Sequence, residues 1–272
     1  MTRAPFDILR ASHILLPGVG PLTERRLWER EVLSLDEFMG ERRLAGFSEL
    51  RKRALDREAA RTLALLEEGS AGELACRLPH REAWRLFDRF AREAAFLDIE
   101  TDGLSRLSAV TVVGVFRPQK GFTALVRGAG LSAAALTEAL AGARLLVTFN
   151  GASFDLPFVR AAFPAARLPR AHLDLLSCAR RLGWRGGLKA IERDLGVLRD
   201  LETRVLAGRD AVRLWHAHQR SGSTNALRLL VSYNRADCEN LLPVARALTS
   251  AMLERTRPAA PRGPRQAALP GA

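Results

Sequence analysis

Through the first 95 residues, apolar positions recur at helical spacing, with Leu27, Leu33, Leu35 and Phe38 forming one set and Leu63, Leu65 and Leu66 another. β-Branched runs are nearly absent there, so the stretch predicts helices. Residues 80–93 continue the helical period and bring Trp84, Leu86, Phe87 and Phe90 largely to one side of an expected amphipathic helix. From residue 95 the pattern changes to strands alternating with helices. Residues 95–100 are an apolar run that ends in acids, residues 110–116 are β-branched, and residues 121–126 form a second such run. The short Arg-Pro-Gln-Lys link between the last two predicts an antiparallel hairpin. Residues 131–141 read as an Ala-rich helix opened by the cap Ser132, 144–149 as a fourth strand, 154–163 as a helix and 171–174 as a short fifth strand. Helical periods at 177–182, 188–195, 210–219, 225–230 and 233–248 fill the rest. Three strands, a helix, a strand, a helix and a strand, followed by helices, predict an α/β domain built on a mixed sheet. The expected organisation is a helical region at 1–91 with a hairpin motif at about 8–40, an α/β domain at 92–253, and a basic tail at 254–272. In that tail Pro-Ala-Ala-Pro-Arg-Gly-Pro-Arg predicts disorder.

Composition narrows the class. The chain has 272 residues, 47% of them hydrophobic, which describes a globular protein rather than a disordered one. No apolar run approaches the roughly 18 residues a membrane span requires, and the first thirty residues mix charge with apolar positions, so a cytoplasmic location without a membrane partner is expected. Cys76, Cys178 and Cys238 form no C-x-x-C pair, which leaves neither a disulfide framework nor a zinc knuckle. The net charge is +12, and of the 42 basic residues only Lys52, Lys120 and Lys189 are lysine. An Arg- and Ala-heavy composition follows from GC-rich coding, yet it is also the electrostatic footprint of a polyanion binder. Between residues 96 and 253 there are 21 basic residues against 13 acidic, so the surplus sits in the α/β segment.

That segment also holds the candidate chemistry. Asp98 and Glu100 lie two apart at the end of a strand, and period-two alternation turns both carboxylates to one face. Asp155 follows the fourth strand, and Tyr233 and Asp237 are four apart on a predicted helix and share a face. Each has an ordinary reading: a strand running into a solvated turn, a helix N-cap, a buried tyrosine satisfied by a neighbouring acid. Together, four carboxylates from two strand ends and two helices form a set of hard oxygen ligands for two Mg²⁺ or Mn²⁺ ions in a phosphodiesterase site. Near the N-terminus, Gly18 and Gly20 in Leu16-Pro-Gly-Val-Gly-Pro-Leu22 permit a tight hairpin before a helix that starts at Pro21. Such a hairpin either holds a backbone phosphate, with Arg25 and Arg26 close by, or is a plain αα-turn that packs.

The α/β motifs resemble the DEDD superfamily of exonucleases and its tyrosine subtype. Phe96-Leu-Asp98-Ile-Glu100-Thr-Asp-Gly-Leu104 looks like the first motif, Asn150 through Asp155 like the second and Tyr233-x-x-x-Asp237 like the third; the histidine subtype would need His where Ser232 stands. Within the superfamily, Asn150-Gly-x-Ser-Phe-Asp-Leu-Pro-Phe158, His172-x-Asp174-Leu-Leu176, Leu188-Lys-x-x-Glu192-x-x-Leu-Gly196 and Tyr233-Asn-Arg-x-Asp237 are similar to the YprB-type exonuclease family. The N-terminal stretch resembles the helix-hairpin-helix motif of DNA-binding proteins. The resemblance implies a ribonuclease H-like mixed sheet flanked by helices and preceded by a small helical region. It also implies a metal-dependent exonuclease, 3′ to 5′ on single-stranded DNA with RNA as a further possibility, releasing nucleoside monophosphates by a two-metal mechanism. Asp98, Glu100, Asp155 and Asp237 would be the metal ligands and Tyr233 would orient the attacking water. Leu104 would wedge against the terminal base, and Asn150 and Phe154 would hold the terminal nucleotide. Asp174 reads as a capping group rather than a ligand. The alternatives are a structure-selective endonuclease on the same fold and a DNA-binding module with a weak or silent metal site.

Overall fold

A computed structural model of the chain describes residues 6–103, 105 and 107–257. Leu104 and residues 258–272 of the expected tail lie outside the described residues. The chain forms two compact units, one spanning Gly69–Met252 and the other made of the described residues up to Glu68 with those from Leu253 on.

The second of these units is helical. A 3₁₀ turn at His13–Leu15 precedes α1 (Pro21–Trp28), α2 (Leu35–Gly40) and α3 (Glu49–Glu67). Gly18 takes a positive φ of 70° in the turn before α1, and Pro21 is the first helical residue, where its missing N–H costs nothing. Ser34 and Ser48 cap α2 and α3 by accepting from Glu37 N at 3.1 Å and Arg51 N at 3.3 Å. Leu16, Leu27, Val32, Leu35, Phe38 and Leu55 form its core. Leu33 is only half-buried, because residues 29–34 are not helical and Val32 takes the inward place.

In the sheet-bearing unit, α4 (Ala71–Arg77) leads to a 3₁₀ stretch at His80–Leu86, α5 (Phe87–Phe90) and a 3₁₀ turn at Ala91–Glu93. The expected helix over 80–93 is thus three pieces. Glu82 Oε2 accepts from Trp84 Nε1 and Arg85 Nε, both at 3.0 Å, and both partners are buried. A 3₁₀ turn stacks residues i and i+3 directly, which seats Arg85 on Glu82.

β1 (Ala94–Thr101), β2 (Val110–Arg117) and β3 (Gly121–Val126) are antiparallel neighbours; then come α6 (Ala133–Ala139), β4 (Leu145–Thr148), α7 (Asp155–Ala162) and β5 (Ala171–Asp174). The sheet order is β3-β2-β1-β4-β5, with β4 parallel to both β1 and β5. Helices α8 (Leu175–Leu182), α9 (Leu188–Asp194), α10 (Leu201–Arg204), α11 (Gly208–Ser221) and α12 (Thr224–Thr256) follow. This is the α/β mixed sheet flanked by helices that the sequence predicts, consistent with a ribonuclease H-like fold. Two expected helices, at 225–230 and 233–248, are one helix of 33 residues that contains Pro243 and continues through residues 254–256, which were expected in the tail. Its buried stripe of Ala226, Leu230, Tyr233, Asp237, Leu241, Val244, Leu248 and Met252 advances by three or four throughout, so tertiary burial outweighs the one lost hydrogen bond.

Strand parity divides the core. Ala95, Leu97 and Ile99 of β1 with Val113 and Val115 of β2 pack with Leu136, Leu156 and Val159 of α6 and α7. Val112 of β2 packs with Trp215, Leu230 and Tyr233 of α11 and α12 on the other face. At Gly114, paired with Asp98 across β1 and β2, a Cβ would stand 2.7 Å from Cys238 Sγ and closer still to Asn234 Oδ1. Glycine is therefore required for α12 to lie against the strand. Gly114→Ala should destabilise the protein by about 1–3 kcal/mol, seen as a lower urea midpoint at unchanged m-value. An unchanged midpoint would mean that α12 can move off the sheet at no cost.

Candidate active site

Asp98 and Glu100 project from β1 on the face that α12 covers, and α12 presents Tyr233 and Asp237 one turn apart. One oxygen from each of Asp98, Glu100 and Asp237 lies within 4.8 Å of the other two. Asp155 approaches from the opposite side. It is the first residue of α7, and its Oδ1 accepts the Ile99 N–H at 3.1 Å, the backbone amide between the two β1 acids. The carboxylate therefore does not cap its own helix; Phe154 occupies the cap position without a side-chain hydrogen bond.

Two loops at the strand ends are tied down. After β4, Asn150 adopts a left-handed φ of 67°, and a Cβ on Gly151 would strike the Thr148 side chain. Asp174 Oδ1 accepts from Asn150 N at 2.8 Å and Leu176 N at 3.0 Å, and its Oδ2 from Ala152 N at 3.1 Å. One side chain thus caps α8 and fixes the loop that delivers Asp155. After β1, Asp102 accepts from Ala109 N at 2.8 Å and pairs with Arg127 at 3.0 Å, while its carbonyl meets His216 Nε2 at 2.9 Å.

Further side chains orient the acids. Asn234 Nδ2 donates to Asp98 Oδ2 at 2.9 Å and to the Asp98 carbonyl at 3.2 Å. Arg199 makes two 2.6 Å bonds to Glu192 and also donates to Asp237 Oδ1, and this chain is buried. Lys189 Nζ lies 4.7 Å from the Tyr233 ring centroid and Arg199 Cζ 5.8 Å from it. Sequence reasoning missed the roles of Asn234, Lys189, Glu192 and Arg199. The first three stand inside motifs quoted for the resemblance, whereas Arg199 belongs to none. Of the residues expected to touch nucleic acid, Asn150 is half-buried, and Phe154 is 36% exposed with its ring centroid 4.9 Å from that of Phe158. Gly18, Gly20, Arg25 and Arg26 belong to the helical unit, where both arginines are exposed.

Burial and mutual repulsion set the electrostatics. Burial, then Asp237 and Asp155, push Asp98 and Glu100 well above the usual carboxylate range. Burial raises Asp155 to about 7, and it raises Asp237 despite the Arg199 guanidinium. Burial and the nearby acids also raise the Tyr233 phenol, so it stays protonated, while burial and Arg199 lower the Lys189 ammonium. Among the described residues, Glu100 Oε1 is a buried oxygen with no hydrogen-bond donor. Hard oxygens, mutual repulsion and an orphaned acceptor fit a divalent cation held by Asp98, Glu100 and Asp237.

The chain belongs to the RNase H superfamily, whose family model matches residues 95–249, more than half of the sequence. The match spans β1 through α12 and includes all four acids and Tyr233. Neither a curated protein nor a solved structure gives a significant match. Membership implies a nuclease-type activity on nucleic acid. Among the described residues no helix is long and apolar enough to cross a membrane.

Without metal, the acids make folding a proton-binding process. Their folded pKa values lie above the unfolded ones, so their contribution is most favourable below about pH 4 and is lost as pH rises, for Asp155 through about 7. In EDTA the melting temperature should fall between about pH 5 and pH 8. Glu100→Gln should flatten this fall and melt higher at the upper end, and Mn²⁺ should stabilise the wild type more than the variant. A wild-type profile no steeper than that of Glu100→Gln would contradict the electrostatic account.

Proposed function

We propose that this protein is a metal-dependent exonuclease that hydrolyses phosphodiester bonds from the 3′ end of single-stranded DNA, releases nucleoside monophosphates and works in the cytoplasm. The observation that carries the reading is the convergence of Asp98, Glu100 and Asp237 at one point, with Tyr233 one helical turn from Asp237. That is the residue order of the tyrosine subtype of DEDD exonucleases. Asp98, Glu100, Asp155 and Asp237 would hold two divalent ions, Mg²⁺ or Mn²⁺. Bound there, the ions would supply a water acidic enough to attack at neutral pH and would offset charge on the phosphate oxygens.

The chain's own groups position and exclude. Asn234, the Ile99 amide and Arg199 each occupy one oxygen of Asp98, Asp155 and Asp237, which restricts how each carboxylate can turn. Tyr233 keeps its proton, so its hydroxyl orients the attacking water by hydrogen bonding rather than acting as a base. The exposed part of the Phe154 ring offers a surface for the terminal base, with Asn150 beside it in the chain. The helical unit would hold DNA through the hairpin at Gly18 and Gly20 with Arg25 and Arg26.

Asp98→Ala should abolish Mg²⁺- or Mn²⁺-dependent release of nucleotides from an end-labelled strand while its circular dichroism stays that of the wild type. Tyr233→Phe should lower kcat roughly 100-fold with little change in KM. Unchanged activity in Asp98→Ala would reject the site. Internal fragments from a 3′-blocked strand would replace the exonuclease assignment with an endonuclease, and salt-sensitive binding without cleavage would reduce the protein to a binding module.

A further inference from the structure

A second concavity of the sheet-bearing unit has a different chemistry from the acid cluster. A cleft of about 840 Å³ opens in the sheet-bearing unit, walled by residues of the 3₁₀ stretch at His80–Leu86, the loop after β4, α7, β5 and α8. Its wall carries five arginines and two histidines against a single carboxylate, Asp174. That carboxylate accepts three backbone N–H groups, and among the described residues it forms no ion pair with the cleft arginines. Arg170 is paired with Glu73 and Arg181 with Glu82. Among the described residues Arg81, Arg160 and Arg180 have no acidic partner, and all three are exposed. They come from three separate elements, so no single amphipathic face accounts for their meeting.

Cations gathered around a concave wall repel one another and focus positive potential into the cleft, an arrangement that an anion relieves. The cleft is larger than one phosphate needs, and Trp84, the one Trp, Tyr or Phe among its walls, is buried and does not offer its face to a base. Burial lowers His172 to about 4, so it stays neutral and adds no charge. Asn150, Ser153 and Leu156 of its wall belong to the same chain segment as Asp155.

We infer that this cleft is a track for the phosphodiester backbone of a nucleic-acid strand, gripped by Arg81, Arg160 and Arg180 without regard to base sequence. The ligand class rests on the nuclease reading, but the contact is made away from the metal-binding acids and requires no turnover. The strand is the ligand rather than a free mononucleotide, because three separated guanidiniums match a repeating anion better than a single phosphate.

The test measures binding of the full chain in EDTA to a fluorescein-labelled oligothymidylate by anisotropy across a NaCl series. Combining Arg81→Ala, Arg160→Ala and Arg180→Ala should weaken binding at least about 10-fold near 0.1 M salt. It should also make the slope of log K against log salt shallower by about 2, since each single-strand phosphate contact contributes about 0.7. A control variant, Arg204→Ala, Arg209→Ala and Arg220→Ala, removes the same charge elsewhere on the exposed surface and should leave the slope near that of the wild type. Should the combined cleft variant lose its cooperative thermal transition, Arg180→Gln alone should still remove about 0.7 from the slope. Equal slopes for wild-type and cleft variants would overturn the inference, and so would equal losses in cleft and control variants, which would reduce the effect to net charge. Thymidine monophosphate or inorganic phosphate displacing the strand at micromolar concentration would replace the backbone track with a free-phosphate site. The nuclease reading fails separately, through retained nucleotide release in Asp98→Ala.

Discussion

Four carboxylates must share one end of a sheet, and much of the local structure answers that constraint. The pleat of β1 alone puts Asp98 and Glu100 on one face, and α12 then closes a third acid over them. Bringing like charges together out of water opposes folding, so the arrangement persists only because its surroundings over-determine it. Three of the acids have restraints of different kinds: a side-chain amide for Asp98, a backbone amide for Asp155, a guanidinium for Asp237. Glu100 Oε1 has none among the described residues, and it is the oxygen for which a cation is the most direct partner. Among the described residues Arg199 is the one guanidinium that bonds directly to the acids, and two of its hydrogen bonds go to Glu192 instead. The cluster is thus left with a deficit of positive charge that protons or metal must fill.

The backbone makes the convergence possible. Gly114 removes the one side chain that would hold α12 off β2, and that close approach lets Asn234 reach both the carboxylate and the carbonyl of Asp98. On the other side, Asp174 works through the loop after β4. By collecting the N–H groups of Asn150, Ala152 and Leu176 it sets where α7 begins and hence where Asp155 stands. The left-handed Asn150 and the glycine beside it belong to the same device. A carboxylate that binds nothing but backbone is therefore as necessary to the site's geometry as those that meet at its centre.

The parts of this arrangement visible in the sequence are those with a local signature. The strand periods mark the sheet, with β3 and β5 at the expected bounds, and the alternation in Asp98-Ile-Glu100 and the four-residue step from Tyr233 to Asp237 mark the acid faces. What stayed hidden depends on long-range contact. Asn234 and Asp98 are 136 residues apart and Arg199 and Asp237 are 38 apart, so no local period announces either pair. Asp155 reads as a cap because a lone acid before a helix usually is one, and only the proximity of the Ile99 amide gives it another partner. The stretch over 80–93 reads as a helix because an apolar spacing of three or four residues suits an α-helical turn and a 3₁₀ turn alike when each piece is only one or two turns long. The buried Glu82–Arg85 pair then decides for the tighter winding.

Charge in the sheet-bearing unit is sorted rather than merely abundant. Residues 96–253 carry both a basic surplus and the buried acids, and a separate cleft gathers five arginines with one carboxylate, which is bonded to backbone. Such sorting has a cost on both sides: the acids repel at the strand ends and the guanidiniums repel in the cleft. Both costs fall together when a polyanion lies in the cleft and cations lie among the acids, since each ligand neutralises the field that opposes folding in its own place and attracts the other. A GC-rich coding bias supplies arginine without regard to position, so it accounts for the abundance of arginine. It does not account for three guanidiniums, from three elements and without an acidic partner among the described residues, lining one cleft whose wall includes Leu156, the residue after Asp155.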